Sequence, residues 1–82
     1  MDTVIDIDAL GLLCPLPVLR LRKVLAGLPV GAQVRLLADD PVAVLDVPHY
    51  CTQAGHRFDG MQDRGGSVAR PERAYLVTKT AP

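Results

Sequence analysis

Across 82 residues, Lys plus Arg and Asp plus Glu balance at nine each, so no positive excess draws the chain onto a nucleic-acid backbone or an anionic membrane. Hydrophobic residues are 49% of the total and aromatics 4%, which predicts one core of Leu, Val, Ile and Ala and leaves few platforms for base stacking. No apolar run reaches the roughly 18 residues that span a bilayer, and the acidic start MDTVIDID is unlike a secretion signal; the reading is a single cytoplasmic domain, residues 1–82, acting as a monomer.

In TVIDID, Ile5 and Ile7 alternate with Asp6 and Asp8, the period of a strand whose Asp face is in solvent, and Gly11 punctuates its end. From Pro15 to about Leu25 the residues Val18, Leu21, Val24, Leu25 and then Leu28 recur at helical spacing, with Arg20, Arg22 and Lys23 on the other side. An amphipathic helix with a basic outer face follows from that pattern. GLPVGA stops it, and QVRLLAD reads as a second strand with Val34, Leu36 and Ala38 facing inward, Arg35 outward, and Leu37 pointing to burial on both faces.

The triplet Asp39, Asp40, Pro41 is a helix start, an Asp cap with Pro at the first helical position, or a partner contact. Pro48 predicts a break near Asp46 or Val47, so the second helix is expected as two short segments ending at Gly55. HRFDGM and AYLVTK read as closing strands, with His56 at a strand edge, and residues 62–73 between them as an exposed, mobile loop. This order predicts an α/β two-layer sandwich: a mixed four-stranded sheet with two helices on one face, β-α-β-α-β-β.

Cys14 and Cys51 are too few for a disulfide framework, and two Cys with two His in no CxxC or HxxxH spacing give no metal signature. Placed as the N-cap, Cys14 would have Pro15 at N1 and Pro17 at N3, where missing amides cost no intrahelical bond. The two rings would stiffen the turn that presents the thiol to the positive end of the helix. A cysteine so placed is expected to have its pKa lowered, and the loss of two amide donors limits how far its thiolate is stabilised. His49 and His56 are the only histidines and neither is close in sequence, so hydrolytic machinery is not indicated. A thiolate that takes up a sulfane sulfur and surrenders it again needs only accessibility, activation and a docking surface. The plainer alternatives are a small buried hydrophobe or a purely structural helix start.

The stretches DALGLLCPLPVLRLRKVL and VGAQVRLLADDPVAVLDVPHYCTQAGH carry an Asp-Ala, Gly-Leu, Cys-Pro-x-Pro and Arg-Lys pattern, then an Asp-Asp-Pro start, an Asp-x-Pro break, an aromatic-Cys pair and a Gly-His end. From Asp8 to His56 this resembles the TusA-like sulfur-carrier proteins, small sulfurtransferases of SirA-like fold. The resemblance implies that Cys14 carries a persulfide, with Pro15 and Pro17 as the prolines of the Cys-Pro-x-Pro motif and no cofactor beyond that covalent sulfur; Gly11 reads as the supporting turn that lets the backbone come close to Cys14. The resemblance also implies a cysteine desulfurase or rhodanese-like protein as donor and an acceptor protein in tRNA thiolation, molybdenum-cofactor assembly or sulfur oxidation. The last third departs from the family: the segment holding Arg64, Arg70 and Arg73 is longer and more basic than the usual short hairpin.

Other positions keep two readings each. Arg20, Arg22 and Lys23 form a solvated face or a docking site for an acidic donor. Cys51 is a core thiol or the partner of Cys14 in a redox-responsive regulatory binding module, which would bring their Cα atoms to roughly 4.4–6.8 Å.

Overall fold

The two strands that precede helices lie side by side and point the same way: β1 (Val4–Ala9) pairs parallel with β2 (Gln33–Ala38) in the computed structural model, which describes residues 3–82. Met1 and Asp2, the first two residues of the acidic start, lie outside that range. β2 pairs antiparallel with β4 (Pro71–Thr78), and β4 with β3 (Arg57–Gly66), giving the order β1-β2-β4-β3. Helices α1 (Leu16–Ala26) and α2 (Ala43–Ala54) complete the β-α-β-α-β-β order expected.

Both helices cover one sheet face, for the reason the periodicities suggested. Ile7, Ala9, Val34, Leu36, Ala38, Tyr75 and Val77 point from the strands into one cluster with Leu21 and Leu25 of α1 and Ala43, Val47 and Cys51 of α2. The helical residues are spaced four apart, one turn each, so each helix turns a single stripe to the sheet. Asp6 and Asp8 are exposed on the opposite face, where Asp6 pairs with Arg35 of its register partner at 3.5 Å. Leu37 is half-buried on that side rather than enclosed on both.

Three local expectations are corrected. α1 starts at Leu16: the Pro15 carbonyl accepts the Leu19 amide at 3.1 Å, which makes Pro15 the N-cap and puts Pro17 at N2, with Cys14 in the turn before the helix. Cys14 therefore does not cap the helix, and the Cys14–Pro15 peptide is cis. Pro17 is buried, so the second proline is also a packing residue.

α2 is one helix, running through Pro48, and begins at Ala43 with Val42 as N-cap, two residues after the position expected. Ala43, Val47 and Cys51 bury one face on both sides of the proline. That shared burial carries the helix across the single backbone bond that Pro48 cannot make. Its end at Gly55, with φ +80°, is as expected.

Most of the expected loop at 62–73 is strand. β3 runs to Gly66 and β4 begins at Pro71, with Asp63 opposite Arg73 and a register shift between Asp63 and Gly66. The turn is closed by Ser67 N–H to the Arg70 carbonyl (3.2 Å) and Arg70 N–H to the Ser67 hydroxyl (3.0 Å). Gly66 has φ +78°, and a Cβ there would collide with the Arg70 carbonyl and the Glu72 amide. No alternation marks this arm because residues from Met61 to Gly66 are exposed on both faces.

Past β4, Lys79 is buried and its ammonium donates to the carbonyls of Leu25 (2.7 Å) and Leu28 (2.6 Å), satisfying the C-terminal end of α1. Among the described residues no helix is long and apolar enough to cross a membrane.

Candidate functional site

Because β1 and β2 are parallel neighbours, the connections leaving them emerge at the same end of the sheet. One carries Gly11 to Cys14 and the other Asp39 to Val42, and the second pins the first. Asp39 Oδ1 accepts the Gly11 amide at 2.9 Å, and Asp40 Oδ2 accepts the Cys14 amide at 2.5 Å. The other oxygen of Asp40 accepts the Val42 amide at 3.1 Å, so one carboxylate joins the cysteine turn to the start of α2. Gly11 meets this geometry with φ +80°, a backbone conformation that glycine adopts without steric penalty.

The hairpin adds a third tie. Arg70 reaches Asp39 Oδ1 at 2.5 Å. Burial alone would raise the Asp39 pKa, but the hydrogen bonds from Arg70 and Gly11 outweigh it and hold the carboxyl below its usual value.

Cys14 itself is exposed at the mouth of a depression of about 200 Å³ lined by Pro15, Val18, Asp46, His49, Tyr50 and Gln53. Leu13, Leu16 and Leu45 are exposed apolar residues on the turn and the adjoining helix starts. The thiol pKa is raised, contrary to the lowering expected from a helix N-terminus: the adjacent Asp46 carboxylate favours the protonated thiol, desolvation adds to it, and the negative charges of Asp46 and Asp40 oppose a thiolate. The difference has two physical sources. The helix starts after Pro15, not at Cys14, and the prolines at N-cap and N2 lack the amides that would have favoured an anion.

Gly11, Pro15 and Pro17 thus sit at the cysteine turn. Arg20, Arg22 and Lys23 are exposed along α1 but do not line the depression, and the Arg20 guanidinium is bound to the Asp8 carbonyl at 2.7 Å. Cys51 is 1% exposed in the core, and burial pushes its thiol up to about 11. Both cysteines are free thiols, one on the surface and one enclosed.

Asp40, Asp46 and Arg70 join the site through contacts no sequence pattern marks: in the sequence Asp40 reads as a helix cap or a partner contact, Asp46 as a residue near a helix break and Arg70 as part of an exposed loop. Their chain separation from Cys14 hides the contacts. A larger groove of about 430 Å³ lies on the helix-free sheet face, lined in part by Val4, Arg35, Met61, Arg64 and Leu76, and Cys14 is not part of it. Among the described residues no three His, Cys, Asp or Glu gather as metal ligands.

Residues 5–70 match the family described as "Sulfurtransferase TusA". A "Sulfur carrier protein TusA" from Pseudomonas entomophila (strain L48) is 38% identical over 75 residues, 92% of this chain and 88% of that protein. Among solved structures, a SirA-like protein from Desulfitobacterium hafniense superposes with a TM-score of 0.71 over 96% of this chain and 100% of its own, at 24% identity, a likeness of fold.

Proposed function

From the premise that this chain belongs to the sulfurtransferase TusA family and is a sulfur carrier, we propose that Cys14 is the residue that holds the sulfur, as a persulfide. The observation that supports it most is the placement of Cys14. It is an exposed thiol on a turn held by the Asp40 carboxylate, beside a shallow depression rather than inside a substrate pocket. Such a sulfur is open to another protein's cysteine, and no third substrate has to fit between them.

The Cys14 thiolate attacks the terminal sulfur of a donor persulfide. The Cys14–sulfur bond forms as the donor's sulfur–sulfur bond breaks, and the donor cysteine leaves as a thiolate. One sulfane sulfur and no net electrons are exchanged. Delivery runs the same displacement in reverse sense: an acceptor thiolate takes the terminal sulfur, and Cys14 leaves as the thiolate. No resident cofactor is needed for either step, and a reducing cytosol keeps Cys14 available between them. Cysteine desulfurases and rhodanese-like proteins are the donor classes that carry such a persulfide.

Mass spectrometry tests this. Incubation with a cysteine desulfurase plus cysteine, or a rhodanese plus thiosulfate, is expected to add one sulfur atom to Cys14, and Cys14→Ser is expected to fold and stay unmodified. An unmodified Cys14 with every donor would sink the proposal.

A further inference from the structure

A carrier thiol works as an anion, yet Cys14 opens into a hollow whose lining includes the carboxylate of Asp46. From α2 the hollow receives Asp46, His49 and Tyr50, from α1 and its cap only the uncharged Val18 and Pro15, and its lining includes no Lys or Arg. Asp40 stands behind the turn with both oxygens committed to backbone amides. Of the guanidinium groups on the adjoining segments, Arg20 is bound to the Asp8 carbonyl and Arg70 to Asp39, while Arg22 is exposed and acts on Tyr50 from outside the lining. Among the described residues, no Lys or Arg side chain lines the hollow beside the reacting sulfur.

Asp46 places a carboxylate in the hollow beside the thiol, a fixed charge that opposes a thiolate. We propose that Asp46 restrains Cys14 in the free carrier, and that the hollow receives a Lys or Arg side chain of the sulfur-donor protein, whose charge pairs with Asp46 and releases the thiolate. The argument for that occupant is charge complementarity: the hollow offers the Asp46 carboxylate, apolar lining from Pro15 and Val18 that accepts the stem of a long side chain, and the Tyr50 ring. On docking, the Cys14 proton passes to solvent, and the thiolate then makes the sulfur–sulfur displacement described above. Between encounters the thiol stays protonated and slow toward small electrophiles. This inference rests on Cys14 being the persulfide carrier, but Asp46's restraint of the thiol can be measured without sulfur.

The test compares wild type, Asp46→Asn and Asp46→Glu, with folding checked by circular dichroism. Iodoacetamide alkylation of Cys14 is followed against pH, and sulfur loading is followed from inorganic polysulfide and from a cysteine desulfurase with cysteine. Asp46→Asn is expected to alkylate faster at neutral pH, by up to about tenfold for each unit its thiol pKa falls, with Asp46→Glu close to wild type. The same Asn variant is expected to load faster from polysulfide and several-fold more slowly from the desulfurase. Coincident alkylation profiles for wild type and Asp46→Asn would overturn the restraint. Desulfurase loading of Asp46→Asn at or above the wild-type rate would overturn the basic contact. A wild-type Cys14 that gains sulfur from no donor, beside a shifted Asn profile, would overturn the persulfide reading and the donor contact with it, while the restraint by Asp46 stands.

Discussion

Arg70 and Asp39, 31 positions apart, meet at 2.5 Å, and the Asp39 oxygen they share is the one that accepts the Gly11 amide. The tip of the β3–β4 hairpin is thereby fastened to the turn that leads to Cys14.

Removing that fastening has a small cost at neutral pH and a defined acid dependence. Both side chains are partly exposed, so Arg70→Ala is expected to lose no more than about 1 kcal/mol. The folded Asp39 carboxyl titrates below its unfolded value of about 3.9, so its contribution is present above that pH and is lost as the pH falls through the folded value. Thermal melts of wild type and Arg70→Ala should differ near neutrality and converge below about pH 4. Gly66→Ala attacks the same tie from the backbone, through its positive φ and the collision with Arg70 and Glu72, and should cost on the order of 1–3 kcal/mol.

Asp40 is 4% exposed and serves two backbone amides, those of Cys14 and Val42. Asp40→Ala leaves both without their partner, at about 1 kcal/mol each, since both amides are only partly buried and water takes up part of the loss. A fall in melting temperature of roughly 4–8 °C per kcal/mol is expected for a domain of this size. Hydrogen exchange at the Cys14 and Val42 amides should accelerate in the same variant, which separates loss of these bonds from general destabilisation.

At the far end of α1, Lys79 donates to the Leu25 and Leu28 carbonyls from a buried position. Lys79→Met keeps the apolar stem and removes the donors, so urea unfolding should show a loss on the order of 2–3 kcal/mol. Sulfur loading at Cys14, at the other end of the helix, should change little in the fraction that remains folded.

The enclosed thiol predicts a labelling contrast and an alkaline limb. Alkylation of the native protein should reach Cys14 and spare Cys51 until the chain unfolds. Burial raises Cys51 from 9.0 to about 11, so its stabilising effect is complete below the lower value and is lost as pH rises through the higher. Cys51→Ala should flatten that part of the stability profile. Cys51→Ser, which buries a hydroxyl instead, should be less stable than Cys51→Ala.

The fold was readable where each residue's role is set by its near neighbours. Ile5 to Asp8 show the strand, Val18 to Leu28 the first helix, and Gly55 the end of the second. The continuity of α2 was not readable, because Pro48 is a local stop signal overruled by the burial of Val47 and Cys51 on either side of it. Nor was the hairpin: Gln62 to Gly66 is a strand held by pairing to β4 while exposed on both faces, so no apolar alternation announces it. At the site, Cys14 and its prolines stood out by type and order. The carboxylate that opposes the thiol did not, since Asp46 and Cys14 become neighbours only when α2 packs beside the cysteine turn.

The β3–β4 arm has a free outer edge and only the turn at Ser67 to Arg70 beyond its last pair, so its reach is set by the number of paired residues. Two residues added to each strand would extend it by about 7 Å, since a strand advances roughly 3.4 Å per residue, and would keep every side chain on its present face. A single added residue would instead turn the faces over. Because the tip residue Arg70 is what reaches Asp39, the even lengthening would carry it away from the cysteine turn and undo that tie while leaving every core position as it is.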